Sequence, residues 1–268
     1  MIGRILSIAG TDPSGGAGIQ ADIKTISALN AYAMAAVTAL VAQNTMGVSA
    51  VLSVSEDFVV EQINGVLDDI GADAIKTGML HRAGIIESVA DVLRRKATSI
   101  PIVVDPVMVA KSGHLLLEEN AIDALRKLLI PLAVLVTPNN PEAEMLTGMS
   151  IKGDDSAIEA GQAIISMGAS AALMKGGHRE GARVRDILVY AGGVEIFEAN
   201  RIASNSTHGT GCTLSSALAA GLGQHLTLTN ATKRAHAYVQ QAILTAPGYG
   251  HGNGPLNHLH NVNPYEVS

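Results

Sequence analysis

Arg4-Ile5-Leu6-Ser7-Ile8-Ala9 runs into Gly10-Thr11-Asp12-Pro13-Ser14-Gly15-Gly16-Ala17-Gly18 and then into a stretch of helical spacing over 19–29. A short apolar run that stops at Gly and Pro and hands over to a 3.6-residue period is the opening of a βαβ unit. The pattern recurs. Runs over 74–77, 102–105 and 133–137 are apolar, short and end in Gly or Pro turns, and 58–70, 85–95 and 121–129 carry helical spacing. Further strands are predicted over 34–41, 171–175, 187–190 and 194–198, the last two as a hairpin about Ala191-Gly192-Gly193. Helices predicted over 213–222 and 230–244 close the chain. The alternation implies an α/β fold with a mostly parallel central sheet between helical layers.

Composition sets the bounds. With 268 residues, 47% hydrophobic and 16% charged, the chain reads as one globular domain over 1–268 with a sizeable core. Aromatics are few, with no Trp, two Phe and five Tyr, which suits helices packed closely on a buried sheet. A net charge of −6 without a basic stripe argues against a nucleic-acid partner. One cysteine excludes an intrachain disulfide and fits a reducing compartment. The longest apolar runs, over 31–42 and 128–136, fall short of the roughly 18 residues that a membrane span needs. The run over 5–9 stops at a Gly/Pro/Ser turn rather than at a small-residue cleavage site, so a cytoplasmic enzyme without a membrane partner is expected.

In open α/β sheets, ligands bind beyond the carboxyl ends of the strands, and the unusual polar clusters fall there. They are the 10–18 turn, Gln43-Asn44-Thr45, Lys76-Thr77-Gly78-Met79, Asp105-Pro106-Val107-Met108, Thr137-Pro138-Asn139-Asn140-Pro141-Glu142 and Lys175-Gly176-Gly177-His178. The sharpest is His208-Gly209-Thr210-Gly211-Cys212, which feeds an apolar helix. Its glycines let backbone N–H groups turn inward, and the helix adds the positive end of its dipole, so negative charge is stabilised there. Taken alone, the motif is equally a helix cap. Gly15-Gly16-Ala17-Gly18 is not a Walker loop, because no Gly-Lys-Ser/Thr follows, and it lacks the dinucleotide spacing. Asp105 alone is an ordinary strand-ending turn, and Asn139 to Glu142 alone a helix cap. Together, Asp105, Glu142 and Asn139 offer two carboxylates and an amide for one Mg2+, which binds through few carboxylates plus substrate phosphates.

These segments, with Thr38-Ala39-Leu40-Val41-Ala42 and Ala110-Lys111-Ser112-Gly113 in the same order, resemble the hydroxymethylpyrimidine and phosphomethylpyrimidine kinases of thiamine biosynthesis, a branch of the ribokinase superfamily. The resemblance spans essentially the whole chain and implies a ribokinase-like three-layer α/β/α sandwich. It implies ATP-dependent phosphorylation of 4-amino-5-hydroxymethyl-2-methylpyrimidine to the monophosphate and then the diphosphate, with Mg2+ and a homodimeric assembly. Gln43 reads the ring, since its amide both donates and accepts, and Asp22, Met79 and Val107 complete the substrate pocket. Two have a plainer alternative, backbone satisfaction for Gln43 and core filling for Met79. Asp105 and Glu142 organise the metal, and Asn139, Lys175 and Thr207 join them at the ATP site, bordered by a loop from Arg201. Lys111 and the turn over 110–114 close over the product, and His178 has no assigned role.

The resemblance makes Cys212 the group that takes the alcohol proton, where sugar kinases commonly carry aspartate. A helix N-terminus lowers a thiol pKa, so a thiolate is expected. The alternative is a packing thiol, with Gly209, Thr210 and Gly211 supplying most of the rate by charge stabilisation. Two other readings of the chain compete. One is a pyridoxal kinase with the same architecture, and the other is a non-catalytic pyrimidine binder, against which the joint presence of Asp105, Glu142, Lys175 and Cys212 argues. The histidines in 248–260 lack metal-cage spacing and read as a loose or subunit-contact segment, although Gly250-His251-Gly252 and Gly254-Pro255 match the family's fold.

Overall fold

The computed structural model describes residues 2–109, 116–118, 120–178 and 181–263, with only the backbone of His178. Lys111 and the 110–114 turn lie outside the described residues, as does the His178 side chain. The strands are β1 (Arg4–Ala9), β2 (Tyr32–Val37), β3 (Ala39–Asn44), β4 (Gly47–Ser53), β5 (Ala74–Thr77), β6 (Ile102–Val104), β7 (Leu135–Val136), β8 (Ala171–Met174), β9 (Arg183–Tyr190) and β10 (Gly193–Asn200). The helices are α1 (Gly18–Ala28), α2 (Glu56–Asp69), α3 (Ala83–Lys96), α4 (Ala121–Ala124), α5 (Asn140–Thr147), α6 (Asp154–Ser166), α7 (Thr210–Gly223) and α8 (Leu228–Leu244).

Eight strands form one sheet in the order β10-β9-β8-β7-β6-β5-β1-β2, parallel from β2 to β8 and antiparallel at the β8-β9-β10 edge. Successive side chains of a strand point to opposite faces, and both faces here are apolar. On β1, Leu6 and Ile8 enter the core under α2, α3, α4, α5 and α6, whereas Ile5 enters the core under α1, α7 and α8. This is the three-layer α/β/α sandwich. Strand order reverses beside β1, which pairs with β2 on one side and β5 on the other, so the connections leaving β1 and β5 diverge and open a crevice at their carboxyl ends.

The predicted strand over 34–41 is two strands. The chain bends at Thr38, whose N–H donates to the Ala9 carbonyl while its hydroxyl donates to the Met79 carbonyl, and β3 departs to pair with β4 in a separate ribbon. The ribbon stands over the crevice. Its inner residues Ala39 and Val41 pack with Met79 and Leu116 in a small apolar cluster of their own. The sequence patterns did not predict β4 or α6, and of α5 they marked only the cap at Asn139 to Glu142. In α6, Gly161 interrupts the helical pattern because Val189 packs against it, and a Cβ would meet that side chain at 2.8 Å.

The histidine-bearing segment over 248–260 is neither loose nor a tail. Asn253 N–H donates to the Thr45 carbonyl at the ribbon turn, His208 N–H donates to the Gly254 carbonyl, and Gly252 lies so close to Thr45 that a side chain would overlap its carbonyl. His258 is buried, with Nε2 3.1 Å from Thr213 Oγ1. Burial, with Lys24, His208 and His260 adding to it, pushes the His258 imidazole down to about 4. A neutral imidazole in the fold and a protonated one in the unfolded chain make stability fall as pH drops from about 6.5 to about 4. The full effect is about 3 kcal/mol from the size of that shift. In urea titrations at pH 7 and pH 4.5, His258→Gln, which cannot protonate but keeps a partner for Thr213, is expected to lose less stability on acidification than the parent. Equal losses would clear His258 as the acid-sensitive group.

Candidate active site

A cavity of about 580 Å³ opens at the carboxyl ends of the strands. Cys212, Gly209, Thr210, Gly211, Gln43, Met79, Val107, Asp105, Asn139, Glu142, Lys175 and Thr207 all line it. Of the substrate and nucleotide residues expected from sequence, only Asp22 does not.

The anion end is built by two loops pressed together. Gly209 precedes α7 with φ at +82°, the left-handed region that favours glycine, and a Cβ there would overlap the Gly16 carbonyl. The loop can therefore close only on glycine, and it delivers the first N–H groups of α7 to the cavity. Gly211 faces the charged residues, since a Cβ on it would stand 3.2 Å from Lys175 Nζ and 3.7 Å from Asp105 Oδ2. Lys175 Nζ donates to Asp105 Oδ1 at 2.9 Å and lies 3.7 Å from Glu142 Oε2. Thr137 and Ser215 hydroxyls also donate to Asp105, at 3.2 Å each.

Asn139 and Glu142 form the helix-capping box of α5. Asn139 N–H donates to Glu142 Oε2 and Glu142 N–H donates to Asn139 Oδ1. Helix cap and site residue are thus the same two side chains. The acceptor oxygen of Asn139 is engaged by the cap, so its contribution to the acidic corner is to position Glu142. Burial pushes the Glu142 carboxyl up to about 7, with Lys175 opposing and Asp105 adding to the rise. For Lys175 burial works against the charge, but Asp105 and Glu142 outweigh it and hold the ammonium well above its usual range.

Among the described residues no three His, Cys, Asp or Glu side chains gather around a metal position. Two carboxylates flanking an ammonium fit a hard cation that arrives already carrying phosphate oxygens, and do not fit an all-protein cage.

The other end of the cavity is apolar. Met79, Val41, Leu116 and Val107 give it an apolar wall. A β-bulge between Ala42 and Gln43 shifts the register with β4 and re-aims Gln43. The Gln43 side-chain amide comes within 2.9 Å of His208 Nε2, which is 2.7 Å from Asp12 Oδ2. Asp12 also accepts from Ser14 N–H, the Ser14 hydroxyl, Gly16 N–H and Ala17 N–H, so one carboxylate ties the whole glycine-rich turn. Burial alone raises the Asp12 pKa, but the His208 and Ser14 hydrogen bonds outweigh it and bring the carboxyl down to about 2.

Two expectations need correction. Asp22 is fully buried beneath the cavity, where its carboxylate accepts from Lys76 Nζ at 2.8 and 3.0 Å, the Ser7 hydroxyl at 2.6 Å and the Ser216 hydroxyl at 2.7 Å. It holds Lys76, a lining residue, instead of meeting the substrate. Cys212 is also not a ready thiolate. Burial, helped by Asp22 and Asp105 and opposed by Lys76 and the Gly18 N–H, pushes the thiol up to about 11. The helix N-terminus does not overcome the loss of water.

The buried Lys76–Asp22 pair carries a stability prediction. Lys76→Met leaves Asp22 charged without its counter-ion and is expected to cost about 3–5 kcal/mol in urea unfolding. Adding Asp22→Asn, which keeps acceptors for Ser7 and Ser216, is expected to recover most of that loss. A single-variant cost under about 1 kcal/mol would mean that the carboxyl simply takes up a proton.

Sequence reasoning placed Lys76, Asp12 and His208 in the polar clusters of the rim but gave none of them a role, and it missed one face of α8. His236, Val239, Gln240 and Ile243, at spacings of three and four, line the cavity with Val184 and Ile202. Lys76 carried a usable signal, a charge inside a strand buried on both faces. The α8 face carried none, since its spacing equals that of any core-facing helix.

The family model for phosphomethylpyrimidine kinase matches residues 12–257. The chain belongs to that family. It is 46% identical over 258 residues to the hydroxymethylpyrimidine/phosphomethylpyrimidine kinase of Rhizobium meliloti, covering 95% of this chain and 96% of that protein. It is 46% identical over 257 residues to the thiamine biosynthesis bifunctional protein ThiED of Geobacter sulfurreducens, covering 96% of this chain but only 52% of that longer protein. Among solved structures, the phosphomethylpyrimidine kinase of Clostridium difficile superposes with a TM-score of 0.81 at 41% identity, covering 91% of this chain and 100% of that one. The pyridoxal kinase of Bacillus subtilis, an ADP complex, gives 0.88 at 35% identity over 96% of this chain and 98% of that one. Backbone likeness therefore embraces both substrate classes, while residue identity is higher with the pyrimidine kinases. No helix among the described residues is long and apolar enough to cross a membrane.

Proposed function

We propose that this chain transfers the terminal phosphoryl group of ATP to the hydroxymethyl oxygen of 4-amino-5-hydroxymethyl-2-methylpyrimidine, and then a second one to the monophosphate. The observation that carries this reading is the position of the Gly209-Thr210-Gly211 hole. It lies between the charged corner of Asp105, Glu142 and Lys175 and the ring pocket of Gln43, Met79 and Val107, with Cys212 beside it. High identity to hydroxymethylpyrimidine/phosphomethylpyrimidine kinases over nearly the full chain supports the substrate.

The nucleotide lies along the α8 side, its base among Val184, Ile202, His236, Val239, Gln240 and Ile243 and its phosphates reaching Lys175, Asn139 and Thr207. Lys175 neutralises triphosphate charge as a point donor. Asp105 and Glu142 would hold Mg2+, which would supply positive charge to the phosphate oxygens and to the departing ADP. Phosphoryl transfer passes through a loose transition state, so the N–H groups of 209–211 act where charge spreads over the equatorial oxygens. The O–P bond forms as the bond to ADP breaks, and the hydroxyl proton passes to Cys212 in the fraction of molecules whose thiol has already released its own proton. The assembly proposed with this activity is a homodimer.

Incubation with Mg-ATP and, separately, the hydroxymethylpyrimidine, its monophosphate and pyridoxal, with products resolved by mass, tests the reading. Pyrimidine mono- and diphosphates are expected. Phosphorylation of pyridoxal alone would replace the substrate, and no product from any of the three would leave a pyrimidine binder.

A further inference from the structure

We propose that Asp12 and His208 lock the Gln43 amide in one orientation, with its carbonyl toward His208, and that this lock selects an aminopyrimidine over a pyridoxal-type ring. The inference rests on the function proposed above and assigns two residues to its specificity.

The orientation follows from counting protons. The two Asp12 oxygens already receive four N–H and O–H donors from residues 14–17, so they present only lone pairs to His208 Nε2 at 2.7 Å. Nε2 must therefore carry the hydrogen. A ring nitrogen that donates has no in-plane lone pair left, so it cannot accept an N–H from Gln43, whose side-chain amide has the atom assigned as Nε2 2.9 Å away, and an amide's nitrogen and oxygen are told apart only by their partners. That atom is then the carbonyl oxygen, sharing the Nε2 proton with Asp12, and the amide NH2 points elsewhere. The imidazole cannot swing to release it. Its backbone N–H is held by the Gly254 carbonyl, and Gly16 lies so close to the ring edge that a Cβ on it would stand 2.5 Å from His208 Cδ2. The bulge at Gln43 fixes the other end of the side chain.

A locked amide reads the order of hydrogen-bonding groups along a ring edge. The aminopyrimidine offers an amino donor next to the carbon bearing the hydroxymethyl group, followed by a ring nitrogen acceptor. Pyridoxal, laid over it by the shared hydroxymethyl group, places an aldehyde acceptor where the amine was and a ring hydroxyl where the nitrogen was. The position next to the carbon bearing the hydroxymethyl group is thus a donor in one ring and an acceptor in the other. An amide free to turn over would read either one, and a locked one meets the wrong edge with acceptor against acceptor. His208 and Asp12 are positioning residues in this scheme and do not touch the reacting atoms.

His208→Phe keeps a flat ring and removes the N–H, while Asp12 keeps its four loop donors. The expected result is a fall of at least 10-fold in the ratio of kcat/KM for the aminopyrimidine to that for pyridoxal, carried mainly by KM. A purely structural role would lower both values together and leave the ratio unchanged, which would overturn the proposal. Nitrogen-15 NMR of the parent protein at pH 8 gives a second reading that does not depend on any variant folding. Nε2 of His208 is expected to be protonated, and a bare Nε2 with the proton on Nδ1 would sink the lock. If the protein phosphorylates neither compound, the proposed function fails, and the tautomer still decides the lock.

Discussion

Alanine at Gly209 is expected to lower kcat by about 10³-fold, with the protein still folded, because it removes more than one anion-hole donor from position. The direct conformational cost of a side chain at φ +82° is small, about 1 kcal/mol. The larger effect comes from the Gly16 carbonyl, which the new methyl would overlap. That obstacle is backbone, so the 12–18 loop and the 207–211 loop have to part. The N–H groups of the hole then move away from where the transferring phosphoryl group sits, and misplacement by about 1 Å alone is worth about 10²-fold. Because His208 is the neighbouring residue, KM for the pyrimidine is expected to rise as well. Steady-state kinetics with a thermal melt as a folding check reads this directly. Activity within tenfold of the parent would mean that the loops yield freely and that the hole is not the source of the rate.

The second large effect concerns Cys212. Cys212→Ala is expected to reduce kcat by about 10²-fold or more, the usual scale of a proton-transfer group, without changing KM for ATP. The pH profile separates this role from packing. With the thiol pushed up to about 11, the thiolate fraction grows about tenfold per pH unit between 7 and 9, so parent kcat climbs over that range. The alanine variant is expected to lose the climb. Identical slopes in both proteins would send the alcohol proton to some other acceptor.

The thiol also shows where local reading stops. A cysteine in the first turn of a helix looks activated from its neighbours in sequence, and the dipole argument is sound as far as it goes. What reverses it is the lack of water in the cavity wall and the carboxylates of Asp22 and Asp105, which are 190 and 107 positions away in the chain. The same distance problem hid Asp22 itself. Its partner Lys76 lies 54 residues on and Ser216 194 residues on, so only the folded sheet reveals a buried pair in place of a substrate contact.

What was legible followed from simple contrasts. Polar residues at the ends of apolar runs marked the carboxyl rim of the sheet, and Gln43, Asp105, Glu142, Lys175 and the 209–212 turn all reached the cavity. Strand bounds were legible where both faces are apolar, as in β1 and β5, and failed at Thr38, where an uninterrupted apolar stretch conceals a bend. The ribbon strand β4 and helix α6 were lost to small residues. Gly47, Ser49 and Ala50 in one and Ala160 and Gly161 in the other blur any period.

The clasp between Thr45 and Asn253, together with the Asp12–His208 contact, joins segments roughly 200 residues apart. Such long closures are the slowest to form, and they have no counterpart in a chain still being synthesised. The sheet from β1 to β8 has its partners once residue 174 is made, yet neither the ring pocket nor the anion hole does until the 248–260 segment has left the ribosome. A copy that lacks the 248–260 segment can therefore look native over much of its core and sequester neither nucleotide nor vitamin precursor, so ligand capture waits on that segment.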